Sequence, residues 1–324
     1  MVKGWGAPSG REWRVCMTWF YYVVAALFGL ILGSFFNVVI YRVPRKMSLG
    51  ERSRCPECGN VIRWYDNVPL LSFVILRARC RGCKAPISWR YPLIEASTAG
   101  LFVLIYWWSR SLVPSQQGFP SGQVVTPELF IGLLMVSVLI IVSAVDFIDG
   151  IVPNRVIYPG LVMMLLLVTG VALYRGQPGR IGLAVASAAI GAGLLFVAGM
   201  LYGALFLRRR APVGVTKVEG ASDDGEGGGD TDEDPEEFAT GIGMGDVKLL
   251  AFTGLALGYF HWYLVLVQLF VGFLIGALVA IPLLALARKG RKDLLPFAPF
   301  LAAGAIVALV WGYQIVDLYL KLLR

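Results

Sequence analysis

The sequence predicts an all-α polytopic membrane protein, with about eight transmembrane helices and a cytoplasmic zinc-binding loop domain. The first observation is composition: of 324 residues, 57% are hydrophobic and 15% are charged, against roughly 45–50% and about 25% in soluble globular domains. The second is that apolar runs of about 20 residues, long enough to cross a bilayer, recur almost to the C-terminus. The third is a cysteine quartet between the first two runs.

The apolar runs predict one transmembrane helix in each of eight segments. In order, they are 17–41, 91–109, 128–146, 152–173, 181–207, 246–258, 261–287 and 296–320. The sixth is short and opens with the charged residues Asp246 and Lys248, so part of it is expected at the membrane interface. Glycine pairs four residues apart predict close packing between helices: Gly29 and Gly33, Gly254 and Gly258, and Gly272 and Gly276.

Lysines and arginines predict the orientation, because they are retained on the cytoplasmic side. Eight crossings place both termini on one side and the loops 42–90, 147–151, 208–245 and 288–295 on the other. Those loops, with Arg155, hold 20 of the 29 basic residues, so we expect them in the cytoplasm and both termini outside. The first apolar run has no A-x-A cleavage site, so a removable signal peptide is not expected. The net charge of +8 is explained by insertion, and no nucleic-acid partner is expected.

The sequence lacks the residues or motifs that several classes of enzyme require. His261 is the one histidine, whereas an HExxH zinc hydrolase needs two, and a Ser-His-Asp triad would have to use this residue. No phosphate-binding loop or GxGxxG fingerprint follows a plausible strand. Residues 208–240 run from three arginines into glycine- and acid-rich sequence that is almost without large apolar groups. Such a segment cannot offset the entropy cost of folding, so it is predicted to be a disordered cytoplasmic loop.

Four of the five cysteines form two CxxC pairs, Cys55 with Cys58 and Cys80 with Cys83. Two such turns can complete a tetrahedral Cys₄ zinc site, and a site with four thiolates has no open position, so the metal would be structural. Disulfides and a redox-active CxxC pair are the alternatives, and incidental cysteines are a third. Cytoplasmic thiols stay reduced, which favours zinc.

Two aspartates lie at the edges of apolar spans, where a carboxylate is costly and indicates function. Asp146 ends the third span shortly before Pro153, which is expected to stop or redirect the chain there, and Asp246 follows Gly243 and Gly245. Paired carboxylates can act as general acid and general base without histidine or cofactor, and glycines would let an extended substrate approach. The alternatives are a snorkelling residue at a helix end for Asp146, and for Asp149, and a helix N-cap for Asp246.

Four features follow one another along the chain: the stretch from Gly33 through Asn37 to Arg42, the paired CxxC motifs, Asp146 seven residues before Pro153, and Gly-Met-Gly-Asp246. In this order they resemble the type IV prepilin peptidases, which are GxGD-type aspartic leader peptidases and N-methyltransferases. The resemblance covers residues 27 to 256. It implies cleavage of the basic leader of prepilins or pseudopilins at the cytoplasmic membrane face, followed in many members by methylation with S-adenosyl-methionine.

The resemblance also implies roles for residues and segments. Asp146 and Asp246 would be the catalytic pair, and Cys55, Cys58, Cys80 and Cys83 would hold Zn²⁺. Gly33, Asn37, Arg42 and Glu95 would serve the methyl-transfer module, with a buried structural hydrogen bond as the alternative for Glu95. The chain would divide into a tail (1–16), a first helix with its zinc loop (17–90) and a transmembrane peptidase domain (91–324) of the bacterial inner membrane.

Three other functions compete with this interpretation. A peptidase without methyl transfer would keep the same aspartates. A proton-coupled transporter could use them as a relay, although no inverted repeat is evident. A non-catalytic assembly protein could dock through the zinc loop and would tolerate replacement of both aspartates. A homodimer in the lipid bilayer is compatible with each of these functions.

Overall fold

The computed structural model describes residues 10–111, 125–207, 243–285 and 296–323. Within these ranges the chain is helical and has no strand, apart from two isolated β-bridges in the cysteine loop. This confirms the predicted all-α class. The predicted disordered segment 208–240 lies outside the described residues, as does the beginning of the N-terminal tail.

Each predicted span is matched by one long helix. The helices of the described residues are α1 (Gly10–Arg42), the short α2 (Leu71–Ile75), α3 (Arg90–Ser111), α4 (Pro127–Asp149), α5 (Asn154–Tyr174), α6 (Gly179–Tyr202), α7 (Met244–Phe260), α8 (Leu264–Ala285) and α9 (Ala298–Leu322). A π-helical turn at Gly203–Leu207 extends α6. Six of the long helices, all but α3 and α7, are long and apolar enough to cross a membrane.

Helix α7 is the predicted short sixth span, and its environment explains its length. It has 17 residues, fewer than the roughly 20 that cross a hydrocarbon core. From Leu249 to Phe260, every residue but Ala251 is buried. The helix therefore lies inside the bundle, where other helices rather than lipid surround it, and it does not need to span the full bilayer.

Small residues let the helices approach closely, as the glycine pairs predict. On α7, a Cβ on Gly254 would lie 2.6 Å from the Cα of Ala188 on α6, and a Cβ on Gly258 would lie 2.5 Å from the Cβ of Ser187. Between α1 and α3, a Cβ on Gly29 would lie 2.7 Å from the Cα of Ala99. Helix–helix contact in lipid depends on such close packing, because apolar surface alone gives no advantage over lipid tails.

A buried ion pair joins three helices at the end of the bundle where α4 begins. Glu128 on α4 accepts two hydrogen bonds from the guanidinium group of Arg175, which follows α5, with N–O distances of 2.9 and 2.8 Å. The hydroxyl of Tyr259 on α7 donates to the same carboxylate at 3.4 Å. These contacts fix the end of the bundle opposite to the cysteine loop.

We expect Gly254→Ala to destabilise the protein by about 1–3 kcal/mol, the usual cost of overpacking, because the added methyl group meets backbone atoms of α6. Gly193→Ala is the matched control, since a Cβ at this α6 position would meet nothing within 4 Å; we expect it to be neutral or slightly stabilising. Thermal unfolding in detergent measures both. Equal losses of stability in the two variants would contradict the described α6–α7 packing.

Candidate active site and zinc centre

The two CxxC pairs form two copies of one turn, 25 residues apart. In the first copy, Cys55 donates its N–H to Asn60 and accepts from the N–H of Gly59; in the second, Cys80 makes the same bonds with Ala85 and Lys84. Each copy also contains one isolated β-bridge at equivalent positions, between Arg54 and Val61 in the first and between Arg79 and Pro86 in the second. The loop is thus built from two equivalent knuckles. The repeat is visible in the sequence, because CPECGNVIRW and CRGCKAPISW have cysteines and a final tryptophan at the same positions.

The four sulfur atoms have the geometry of a metal site. All four Sγ atoms lie within 4.8 Å of one another, and those of Cys55 and Cys83 are 3.8 Å apart. Sulfurs placed at about 2.3 Å from a tetrahedral zinc ion are separated by about 3.8 Å. Backbone N–H groups of Cys83 and Gly82 lower the pKa of the Cys80 thiol to about 7, which favours the thiolate that binds metal. The cluster can therefore hold Zn²⁺ as a structural ion.

Side chains outside the knuckles fix the loop. Arg42, at the end of α1, donates to the carbonyls of Ser48, Leu49 and Glu51 at 2.9–3.1 Å, and to that of Arg52 at 3.3 Å. Its guanidinium group is therefore engaged in organising the start of the loop. A second contact, from Arg81 to Asp66, joins the second knuckle to the segment between the knuckles, and this hydrogen bonding lowers the pKa of Asp66.

Glu95 attaches the loop to α3. Its Oε2 accepts the N–H of Leu70 at 2.8 Å, and Leu70 has φ 57° and ψ −46°. The N–H of Leu71 bonds the carbonyl of Pro69 at 2.6 Å, so the three residues form a γ-turn of the rare, strained hand. Strain of this kind persists only where surrounding contacts hold it. The structural hydrogen bond considered for Glu95 is therefore present.

Gly33 and Asn37 lie beside this contact on α1. A Cβ on Gly33 would lie 2.8 Å from the Cα of Glu95, so glycine is needed for the close approach of α1 to α3. The Nδ2 of Asn37 donates to the carbonyls of Gly33 and Tyr91. Its Oδ1 is buried and accepts no hydrogen bond within the described part of the chain. Of the four residues predicted for the methyl-transfer module, Asn37 is the one with a buried side-chain acceptor that has no hydrogen-bond partner among the described residues.

Asp146 lies in the last turn of α4 and is buried, with 8% of its surface exposed. Its Oδ2 accepts the N–H of Ala298, the first residue of α9, at 3.0 Å. The helix runs one turn further than predicted, to Asp149, and Gly150 ends it with φ 69°. Pro153 is the N-cap of α5 rather than the stop of α4. Asp149 is 3.8 Å from Arg45 of the cysteine loop.

Asp246 is the third residue of α7, and its side chain is half-buried. The N-cap of this helix is Gly243, so the alternative of Asp246 as the N-cap is wrong. A Cβ on Gly245 would lie 2.6 Å from Val152, in the connection after α4. The expectation that Gly245 makes room for substrate is therefore also wrong, because Val152 fills that space.

Contacts that the sequence did not reveal hold the start of α7 against the connection that follows Asp146. Lys248 donates to Oδ1 of Asn154 at 3.0 Å, and its ammonium group lies 5.3 Å from the ring centre of Tyr158. Together with the packing of Gly245 on Val152 and the bond from Ala298 to Asp146, they bring the end of α4, the beginning of α7 and the beginning of α9 to one end of the bundle. The lysine in the first turn of this short span is the signal that could have identified this contact.

The carboxylates and the cysteine loop lie at the same end of the bundle. A small hydrophobic cluster joins α1, α3 and α4 there, and it includes Phe36, Ile94 and Val145. These three residues are the immediate sequence neighbours of Asn37, Glu95 and Asp146. The residues predicted for methyl transfer and one predicted catalytic aspartate therefore surround a shared core.

Together, these features define a multi-pass membrane protein that carries carboxylates and a four-cysteine cluster at one end of its helical bundle. Residues 27–109 match the bacterial peptidase A24 N-terminal domain, and residues 133–281 match the type IV leader peptidase family. The chain belongs to the type IV leader peptidase family.

Curated relatives support this assignment over most of the chain. A prepilin leader peptidase/N-methyltransferase of Aeromonas hydrophila is 31% identical over 329 residues, covering 94% of this chain and 95% of the relative. One of Bacillus subtilis is 30% identical over 300 residues, covering 91% and 96%. One of Vibrio cholerae is 39% identical over 152 residues, covering 44% and 54%. No solved structure shows significant similarity to the chain.

We expect purified protein to contain about one zinc ion per chain, and Cys58→Ser to lose it and to destabilise the loop, because a structural zinc site contributes directly to folding. Cys16→Ser is the matched control, since Cys16 lies near the far end of α1 from the loop. Metal analysis and limited proteolysis measure both effects. Full zinc content in Cys58→Ser would contradict the four-thiolate site.

We expect Glu95→Ala to release the strained turn at Leu70 and speed amide exchange in residues 68–76, whereas Glu95→Gln keeps an acceptor and has a smaller effect. Adding Leu70→Gly should recover roughly 1–2 kcal/mol of the loss, because glycine adopts positive φ without strain. Hydrogen exchange read by mass spectrometry measures this. Unchanged exchange in Glu95→Ala would show that the carboxylate does not hold the loop.

Proposed function

We propose that this protein cleaves the short basic leader of type IV prepilins or pseudopilins with Asp146 and Asp246, and then methylates the new N-terminal residue. The observation that supports this most directly is the convergence of three helix ends. The last turn of α4 carries Asp146, the first turn of α7 carries Asp246, and the first N–H of α9 orients the Asp146 carboxylate.

In the proposed reaction, one carboxylate takes a proton from a water molecule as that water attacks the scissile carbonyl carbon. The other aspartate, in its protonated form, gives its proton to the leaving amide nitrogen as the C–N bond breaks. Oδ2 of Asp146 is engaged by Ala298, which leaves Oδ1 for water or substrate. The two groups exchange roles as proton donor and acceptor, so no metal is required for cleavage.

The proposed orientation places this end of the bundle in the cytoplasm, as the distribution of basic residues favours. A prepilin would keep its apolar helix among the lipids and present its leader where Asp146 and Asp246 lie. Both termini would be outside, in the bacterial inner membrane. A homodimer is compatible with this arrangement.

For methyl transfer, we propose residues 17–90 together with the start of α3 as the responsible module, and 91–324 as the peptidase domain. S-adenosyl-methionine would supply the methyl group. The buried Oδ1 of Asn37 fits an N–H donor of that cofactor or of the new N-terminus. Gly33, Arg42 and Glu95 would act by holding α1, α3 and the zinc loop in place, with Zn²⁺ fixing the loop itself.

One competing function can be distinguished by experiment, and the family assignment argues against the other two. A peptidase without methyl transfer would cleave a prepilin and add no methyl group. A proton-coupled transporter is disfavoured by membership of a leader peptidase family, and so is a non-catalytic assembly protein.

We expect Asp146→Asn and Asp246→Asn each to lower the rate of leader cleavage by roughly 10²–10⁴-fold, the usual contribution of a positioned acid or base. The measurement is intact mass of a prepilin incubated with the purified, zinc-loaded protein, with and without S-adenosyl-methionine. Asp149→Asn is the matched control, since this carboxylate lies one turn beyond Asp146 and pairs with Arg45; we expect it to retain cleavage. Cleavage at the wild-type rate in either catalytic variant would exclude the two-aspartate mechanism.

A further inference from the structure

We infer that α2 and the second zinc knuckle form a binding site for an anionic phospholipid, with α2 inserted in the bilayer and a basic cavity around the lipid phosphate. The cavity is open and is lined by Ile75, Leu76, Arg77, Arg79, Arg81 and Lys84. These residues lie within the proposed methyl-transfer module, but none of them has a role of its own in the proposed cleavage or methyl transfer. The inference rests on the depth of α2, on its exposed side chains and on the charge of the cavity.

The depth of α2 follows from two contacts. Leu70, just before α2, bonds Glu95, and the Cα of Glu95 lies against Gly33 of α1. The part of α1 that is long and apolar enough to cross a membrane runs from Trp19 to Arg42. Gly33 is nine residues inside the end of this segment, about 13 Å at 1.5 Å per residue. The loop therefore folds back beside the helices, and α2 begins within the depth of the membrane.

At that depth, α2 presents an apolar stripe. Leu71, Val74 and Ile75 are 54%, 71% and 63% exposed, and their i, i+3, i+4 spacing puts them on one helical face. The opposite face is anchored: Ser72 is buried, and Phe73 packs on Trp89 with ring centres 4.8 Å apart. A stripe of this kind is costly in water and favourable in lipid, which is the pattern of an interfacial helix.

The cavity that follows α2 is strongly basic. Arg81 is paired with Asp66, but Arg77, Arg79 and Lys84 form no ion pair within the described residues, and all three are exposed. Ile75 and Leu76 supply an apolar wall beside them. Cations around an apolar wall suit a phosphate group that continues into a hydrocarbon chain.

Charge argues against the other ligands of the proposed reaction. A basic prepilin leader would be repelled by three unpaired cations, and so would the sulfonium and ammonium groups of S-adenosyl-methionine. The attachment of the loop adds to the case. One end of the loop continues from α1, which can cross the membrane, and the other continues into α3, which packs beside α1, so the cavity stays at the bilayer surface. An anionic phospholipid has the required charge, and it is present at that surface.

The test uses full-length, zinc-loaded protein titrated in detergent with phosphatidylglycerol or phosphatidylcholine, read as bound lipid by native mass spectrometry. We expect preferential binding of phosphatidylglycerol, and a loss of roughly fivefold in affinity for each of Arg77→Gln, Arg79→Gln and Lys84→Gln. The internal repeat provides the control: Arg52 and Arg54 are the first-knuckle counterparts of Arg77 and Arg79, and Arg52→Gln and Arg54→Gln should leave binding unchanged. Equal binding of the two lipids would overturn the proposed site, and so would an equal loss of affinity in the second-knuckle variants and in the first-knuckle controls.

A second measurement does not depend on the folding of variants with altered charge. A photo-crosslinking amino acid at Val74, in chains inserted in phosphatidylglycerol-containing nanodiscs, should give lipid adducts. The same group at Val61, in the first knuckle, should give few. Adducts to a second copy of the chain, or to peptides from residues 208–240, would show that protein rather than lipid covers α2. Binding of water-soluble glycerol phosphate as tight as that of the lipid would exclude the apolar part of the site.

Discussion

Lipid offers no hydrogen-bond partner to a backbone or carboxylate group, and this constraint decides where the protein can keep its polar chemistry. A carboxylate placed in mid-helix would need a partner from a neighbouring helix, whereas a helix end supplies backbone N–H groups that have no partner within their own helix. The contact between Asp146 and the first N–H of α9 is such a case. It satisfies a buried carboxylate, and it fixes the start of α9 beside the end of α4. The positions of α7 and of the cysteine loop are consistent with the same rule, since both place their charged groups at this end of the bundle.

The cysteine loop meets a different physical limit. Its residues between α1 and α3 are too few to bury a large hydrophobic core, and small folds of this size usually need metals or disulfides. Here the two knuckles supply four ligands, while Arg42 and Glu95 bind the loop to the helices at either side. Glu95 holds a backbone turn that costs energy by itself. The loop is therefore stabilised by its contacts with the two helices that flank it, and a metal ion held by the four cysteines would add a link within the loop.

Much of this arrangement is predictable from sequence, and the reason is that the signals are local. Apolar runs predict the eight long helices, and the CxxC spacing predicts the sulfur cluster. Glycine pairs predict close packing between helices, but not which helices meet. The fold class and the family are confirmed. The contacts that position the site are not predictable in this way, because they join distant parts of the chain. Ala298 lies 152 residues from Asp146, and Val152 fills the space that Gly245 seemed to leave for substrate. The strained turn at Leu70 has no sequence signature either, since leucine disfavours that conformation.

The shared position of the two centres gives the proposed reaction sequence a physical basis. The hydrophobic cluster containing Phe36, Ile94 and Val145 joins the three helices that carry Asn37, Glu95 and Asp146, and Arg45 connects the cysteine loop to Asp149. A substrate anchored by its apolar helix diffuses in the plane of the membrane but stays at constant depth. An N-terminus released by cleavage at this depth would therefore remain level with the methyl-transfer module. The second proposed reaction would then need only lateral movement of the product.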